Sequence, residues 1–178
     1  MEQSTATALI GAAVTDAGGT WADLGAGGGT FTRALASLLG PTGVVYAVDR
    51  DANALQALSR ASARHSGSAA IRTMVGDFTD PLELPPLDGV LLANALHFVP
   101  YPEQARVLGH IARRLEGGGP MVIVEYERSV ANPYVPFPVT FDALATLAKD
   151  AGLGSPQLLA THPSRYQGSI YSAIVRPV

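Results

Sequence analysis

The chain has 178 residues, 47% hydrophobic and 15% charged, which suits one domain with a sizeable core and excludes a disordered chain. A formal net charge of −3 with an isoelectric point near 5.7 argues against a general nucleic-acid-binding surface. With no cysteine, disulfides, thiolate zinc sites and cysteine nucleophiles are ruled out.

No stretch approaches the ~20 apolar residues that cross a bilayer. Met1 to Val14 lack a basic start followed by a long apolar run, so a soluble, cytoplasmic protein is expected. Residues 4–17 place Leu9, Ile10 and Val14 at helical spacing and predict a short helix closed by Gly18-Gly19. Such a helix either pads a sheet or is the remnant of a lid.

The next stretch organises the chain. Trp21-Ala22-Asp23-Leu24 is a short apolar run interrupted by an acid; Gly25-Ala26-Gly27-Gly28-Gly29 follows, and Phe31, Ala34, Leu35, Leu38 and Leu39 then recur at helical spacing. The order reads as strand, tight turn and helix. Glycine lets backbone N–H groups approach a ligand, and the helix points its positive end into the turn. A dinucleotide fingerprint needs glycine where Thr30 stands. Asp23 would repel a pyrophosphate but attract an ammonium or sulfonium, so the turn suits a zwitterionic or cationic small molecule.

These residues resemble the first motif of the class I S-adenosylmethionine-dependent methyltransferases, D/E-x-G-x-G-x-G, with Asp23, Gly25, Gly27 and Gly29 at its four fixed positions. The resemblance implies S-adenosylmethionine as cofactor, with Ala26 and Thr30 also at the turn.

The predicted helix from about Gly29 to Leu39 stops at Gly40-Pro41. Val44 to Val48 is a continuous apolar run, the mark of a strand buried on both faces and hence of a parallel sheet. Asp49 at its end, next to Arg50, is placed to accept from a ribose diol. Its competing role, as N-cap of the helix from Ala52 to Ala63, can fall to Asp51. Ala69 to Val75 predicts a third strand, followed by Gly76-Asp77-Phe78. The resemblance implies that Asp77 faces the adenine amino group and that Phe78 lies against the ring; a plain turn is the alternative reading. Acids after three successive strands are harder to attribute to chance than one.

Leu87 to Phe98 predicts a fourth buried strand and its exit, where the fold crosses to the other side of the first strand. The resemblance implies that backbone around Asn94 and Ala95 holds the methionine end of the cofactor. Asn94-Ala95-Leu96-His97 does not match the Asn/Asp-Pro-Pro-Tyr element of enzymes that methylate base amino groups. Asn132-Pro133-Tyr134 looks similar but falls in a later loop. A helix from Pro102 to Leu115, a fifth strand from Met121 to Tyr126, a loop rich in proline and aromatics from Arg128 to Pro138, a helix from Phe141 to Ala151 and two antiparallel strands (157–162 and 170–176) complete the chain.

Methyl transfer from a sulfonium is an in-line displacement that needs alignment and exclusion of water, and a base only when the nucleophile carries a high-pKa proton. His97 is the first candidate for that base, because imidazole titrates near working pH; a plain place in the pocket wall is its alternative. Glu125 and Tyr126, ending the fifth strand, are second candidates for proton removal or substrate contact. Tyr134 and Phe137 in the apolar loop are candidate substrate contacts. His65, His110 and His162 read as structural or surface residues, and no His/Asp/Glu cluster has metal-ligand spacing.

The expected fold is a doubly wound α/β domain: a mostly parallel seven-stranded sheet with an antiparallel C-terminal strand pair and helices on both faces. One domain spans 1–178, with an N-terminal helix (1–18), a cofactor core (20–127) and a substrate-side segment (128–178). The expected partner is a small-molecule methyl acceptor, with no nucleic acid and no membrane span, and the small cap leaves a crevice that a second copy in a homodimer could cover. A non-catalytic S-adenosylmethionine-binding module, a nicotinamide-dependent dehydrogenase and a protein or RNA methyltransferase are the competing readings.

Overall fold

The computed structural model describes residues 1–62, 67–164 and 168–178. The apolar runs form seven strands: β1 (Thr20–Leu24), β2 (Val44–Asp49), β3 (Ala70–Val75), β4 (Gly89–Ala93), β5 (Met121–Glu127), β6 (Gln157–Pro163) and β7 (Ser169–Val175). Five helices flank them: α1 (Gln3–Ile10), α2 (Thr30–Leu39), α3 (Ala52–Ser62), α4 (Tyr101–Ala112) and α5 (Phe141–Asp150). All seven strands share one sheet in the order β3-β2-β1-β4-β5-β7-β6. β1 to β5 run parallel, while β7 is antiparallel to both β5 and β6. This is the expected fold class.

Alternation along the strands divides the core into two layers. Val90 and Leu92 of β4 join Ile123, Leu108 and Leu144 on the face covered by α4 and α5. Leu91 and Ala93 join Val122, Leu35 and Leu39 on the face covered by α2 and α1. Every residue of β4 is buried, because the strand has sheet on both edges and helices on both faces.

β1 pairs with β2 on one side and β4 on the other, so the winding reverses between them. The carboxyl ends of the parallel strands therefore open onto a crevice at this switch point. Of the two readings of the N-terminal segment, its contacts support packing against the sheet. α1 buries Ala6, Leu9 and Ile10 in the layer shared with α2 and β7, and Ser172 Oγ donates to Leu9 O at 2.6 Å. It pads the sheet; only Met1 reaches the crevice. His65 and the centre of the expected turn between the last two strands, residues 165–167, lie outside the described residues. His162 is exposed, and half-buried His110 sits on α4 with Arg113 3.0 Å away.

Candidate active site

The turn after β1 is held by backbone hydrogen bonds. Gly25 N and Ala26 N donate to Val48 O at 2.8 and 2.9 Å, which locks the start of the loop to β2. Gly25 has a φ of 80°, and a Cβ there would lie 2.7 Å from the Ala95 methyl, so this position accepts no side chain. Gly29 opens α2 in the left-handed conformation. Between them Gly27 and Gly28 face open space, with nothing within 4 Å of an added Cβ. The loop is thus closed at its ends and accessible along its middle.

Asp23 lies beneath that loop, fully buried. Its Oδ2 accepts from Thr32 Oγ1 at 2.6 Å, while Oδ1 has no hydrogen-bond partner. Burial pushes its carboxyl up to about 7; the Thr32 hydroxyl opposes the shift and the negative charge of Asp49 adds to it. Across the crevice Asn94 adopts a positive φ of 54°, a conformation asparagine tolerates better than most residues. Its Oδ1 is also buried without a partner. Among the described residues these are the two orphaned buried side-chain atoms, and both line the same compartment of about 280 Å³ beside Gly28, Thr30 and Tyr126. Two unmet acceptors in one site call for a multivalent donor.

Asp49 braces the loop: Oδ2 accepts from Gly27 N at 2.7 Å and Oδ1 from Asp51 N at 2.8 Å. Asp51 takes the helix-capping role, accepting from Asn53 N and Ala54 N. Each Asp49 oxygen has two lone pairs, so both retain acceptor capacity. A second compartment, about 300 Å³, is lined by Gly25, Gly27, Asp49, Arg50, Gly76 and Phe78, closed by Ala95 and Phe98. Asp77 is not among its lining residues. Its side chain turns to Thr79 N and Oγ1 at 2.9 and 2.7 Å, and to the Arg50 guanidinium at 3.5 Å. Burial would raise its carboxyl, but the Thr79 hydrogen bonds and Arg50 outweigh it and hold Asp77 below the ordinary carboxylate range.

The first and second candidates for proton transfer meet. His97, in the short turn after β4, places Nδ1 2.6 Å from Glu125 Oε2, and His97 N donates to Glu125 Oε1 at 3.1 Å. Both side chains are buried. One carboxylate thus grips the ring and the backbone of a residue 28 positions earlier in the chain. An ionised Glu125 at Nδ1 selects the Nδ1–H tautomer and leaves the lone pair on Nε2. Tyr126 and Phe98 pack near the imidazole, with ring centroids at 6.1 and 4.4 Å.

His97 lines a third compartment, about 500 Å³, with Phe98, Tyr126, Arg128, Asn132 and Tyr134. Asn94 borders all three compartments. Tyr134 is thus at the cavity, as expected for a substrate contact, but Phe137 is not. Its N donates to His97 O at 3.0 Å, and its ring meets Tyr101 edge-on. Buried Gln104 clamps this region by donating to Val99 O and Phe137 O, so Phe137 supports the wall from behind.

A family model described as a methyltransferase domain matches residues 22–119, more than half of the chain. The chain belongs to the methyltransferase-domain family. This is the S-adenosylmethionine-dependent class that the glycine motif resembles. No curated protein matches the sequence. Solved structures of methyltransferases share the fold at low identity. The 1,6-didemethyltoxoflavin-N1-methyltransferase of Burkholderia thailandensis, with 1,6-didemethyltoxoflavin and S-adenosylhomocysteine bound, superposes with a TM-score of 0.77 at 20% identity over 98% of this chain and 76% of its own. The magnesium protoporphyrin IX methyltransferase of Synechocystis, with S-adenosylmethionine bound, gives 0.71 at 15% identity over 99% and 79%. The arsenic(III) methyltransferase of Chlamydomonas reinhardtii gives 0.71 at 23% identity over 90% of this chain, which spans 63% of that chain's length.

In this methyltransferase four residues of the His97 cavity, Phe98, Arg128, Asn132 and Val135, were not expected from the sequence. Phe98 follows His97 in the same exit turn and could have been inferred from it. Arg128 and Asn132 lie in an irregular loop, where no periodicity says which side chains turn inwards. Thr32 was also missed; its signal is a hydroxyl on the buried face of α2, one turn above Asp23.

Proposed function

We propose that the chain transfers a methyl group from S-adenosylmethionine to a small-molecule acceptor, with His97 as the general base and Glu125 orienting it. S-adenosylmethionine supplies an electrophilic methyl on a sulfonium and so leaves the protein the tasks of binding, alignment and proton removal. The observation that carries the reading is the pair of orphaned acceptors, Asp23 Oδ1 and Asn94 Oδ1, at the glycine loop and continuous with the His97 cavity. An α-ammonium brings three donors and a positive charge to them. The N-terminus of α2 at Thr30 presents its positive end to the carboxylate of the same amino acid.

Asp49 has acceptor capacity for the ribose hydroxyls. Gly76, Phe78, Ala95 and Phe98 enclose space for a flat base, with Arg50, paired to Asp77, at its rim. His97 Nε2 then takes the proton of the acceptor, and Glu125 holds the ring while it becomes positively charged. The acceptor is small because the cavity of about 500 Å³ lies within the ~300–1,000 Å³ of ordinary small-molecule sites.

Calorimetry with S-adenosylhomocysteine tests the cofactor half directly. Binding is expected for the native protein and a loss of at least tenfold for Asp23→Asn, which cannot neutralise the ammonium. Absence of heat with the native protein, or equal affinity for a nicotinamide nucleotide, refutes the reading.

A further inference from the structure

The third compartment has a chemical character of its own. Its walls are aromatic, and two of the rings are solvent-exposed: Tyr134 at 82% and Phe98 at 51%. Exposed aromatic rings facing one cavity are apolar surface waiting for a flat partner. Among its lining residues Arg128 is the one permanently charged side chain, and no carboxylate is present. Of the two acids that end β5, Glu125 binds His97 with both oxygens and Glu127 Oε2 accepts from Phe141 N at 2.9 Å. Arg128 Nε donates to Val130 O at 2.7 Å, which pins the guanidinium stem and leaves the two terminal nitrogens for another acceptor. Asn132 Oδ1 accepts from Tyr134 N and Val135 N at 2.8 Å, an Asx turn that commits the oxygen and turns the amide N–H₂ into the free donor. The cavity therefore offers a base at its inner end and donors without acceptors in its loop wall.

We infer that the methyl acceptor is a hydroxyaromatic carboxylate: a planar ring whose hydroxyl meets His97 and whose carboxylate meets Arg128 and Asn132. This rests on the methyl-transfer reading above and adds the acceptor's chemistry to it. Charge favours the assignment. A cofactor bound in the compartments that Asn94 borders would add a sulfonium's positive charge, so an anionic acceptor would be drawn in and a cationic one repelled. In the reaction the ring O–H bond breaks and its proton goes to His97 Nε2. The ring oxygen forms the new O–CH₃ bond as the carbon–sulfur pair remains on sulfur. An aryl methyl ether, a neutral thioether and imidazolium result, and the imidazolium returns its proton to water.

The test uses the native protein with S-adenosylhomocysteine and the probe 4-hydroxy-3-nitrobenzoate, whose ring ionisation is visible by absorbance. Comparison probes are 2-nitrophenol, which lacks the carboxylate, and 4-(aminomethyl)-2-nitrophenol, which is cationic. The acid is expected to bind at least tenfold more tightly than either, and its hydroxyl to ionise at lower pH when bound than when free. Arg128→Gln should remove the tenfold preference while S-adenosylhomocysteine binding is unchanged. His97→Gln should abolish the shift in ionisation and keep the preference. Equal binding of acid and neutral phenol, tighter binding of the cationic phenol, or a preference that survives Arg128→Gln overturns the assignment while the cofactor reading stands. Failure of S-adenosylhomocysteine itself to bind removes both together.

Discussion

At the glycine loop the backbone does the positioning, whereas in the His97 cavity side chains do. Gly25 N, Ala26 N and Gly27 N are spent on Val48 O and Asp49, so the loop is pinned by its backbone to the end of β2. In that cavity the imidazole of His97 is set by a carboxylate from another strand, and its loop wall is tied down by Gln104 and by Tyr171, whose hydroxyl donates to Val139 O at 3.0 Å. The first construction ties the turn to the end of β2, 22 residues on, and tolerates little change at Gly25 or Gly29, where a Cβ would meet Ala95 or Leu58. The second depends on side chains, which substitution can exchange without moving the backbone of the glycine turn. A fold can therefore retain one cofactor site and present many acceptor sites.

The largest expected effect breaks the acceptor half alone. Glu125→Gln preserves the shape and can still accept from His97 N, but its amide N–H₂ faces Nδ1 and forces the opposite tautomer, with the proton on Nε2. Turnover should fall about 10²–10⁴-fold, the usual contribution of a general base, with S-adenosylhomocysteine affinity unchanged by calorimetry. Retained turnover would show that His97 takes no proton.

Glu125→Ala removes both acceptors and leaves the buried ring and backbone N–H of His97 unmet. Denaturant unfolding should show a loss of about 3–5 kcal/mol. The corresponding change in the other half, Asp49→Ala, leaves a half-buried loop amide that water can reach. It should cost about 1 kcal/mol in stability but weaken cofactor binding.

The cofactor half should respond to pH through Asp23. In the ligand-free protein it titrates near 7, against an unfolded value of 3.8, so between these values the folded state holds the extra proton. Stability of the free protein should accordingly decline as pH rises from about 4 to about 7. A bound ammonium favours the carboxylate, so binding must expel that proton. S-adenosylhomocysteine affinity should rise by up to about tenfold per pH unit below pH 7 and level off above it. Calorimetry in buffers of different ionisation enthalpy should count up to one proton released at pH 6. A flat affinity profile from pH 5 to 8 would refute the coupling.

A change at Thr32 separates the halves most finely. Thr32→Val removes the hydrogen bond to Asp23 Oδ2 and should cost about 1–3 kcal/mol in stability. Because that bond opposes the upward shift of Asp23, its loss should move the pH at which cofactor affinity levels off to a higher value. Turnover at saturating cofactor well above that pH should be unaffected.

Most of the architecture was legible because it is written in local patterns. The continuous runs of β2, β4 and β5 announced a parallel sheet buried on both faces, and Gly40-Pro41 and Gly152 marked helix ends within a residue or so. The N-terminal segment was ambiguous for a physical reason: helical spacing gives an apolar face but not its partner, and only the packed structure seats Leu9 and Ile10 on the α2 layer. Phe137 shows the same limit in the loop. Its apolar ring was legible, but the side to which it turns depends on Tyr101 and Gln104, more than 30 positions earlier.

Residues 21–31 by themselves determined where the chain turns and that a carboxylate precedes the glycines, because glycine φ preferences and strand-to-helix geometry act over a few residues. Only the tertiary structure decided that Asp23 and Asn94 leave two orphaned acceptors together, that Asp77 turns to Thr79 and Arg50, and that His97 and Glu125 form one unit. Strand order alone brings the ends of β1, β4 and β5 side by side, and no local propensity encodes which neighbours that order creates.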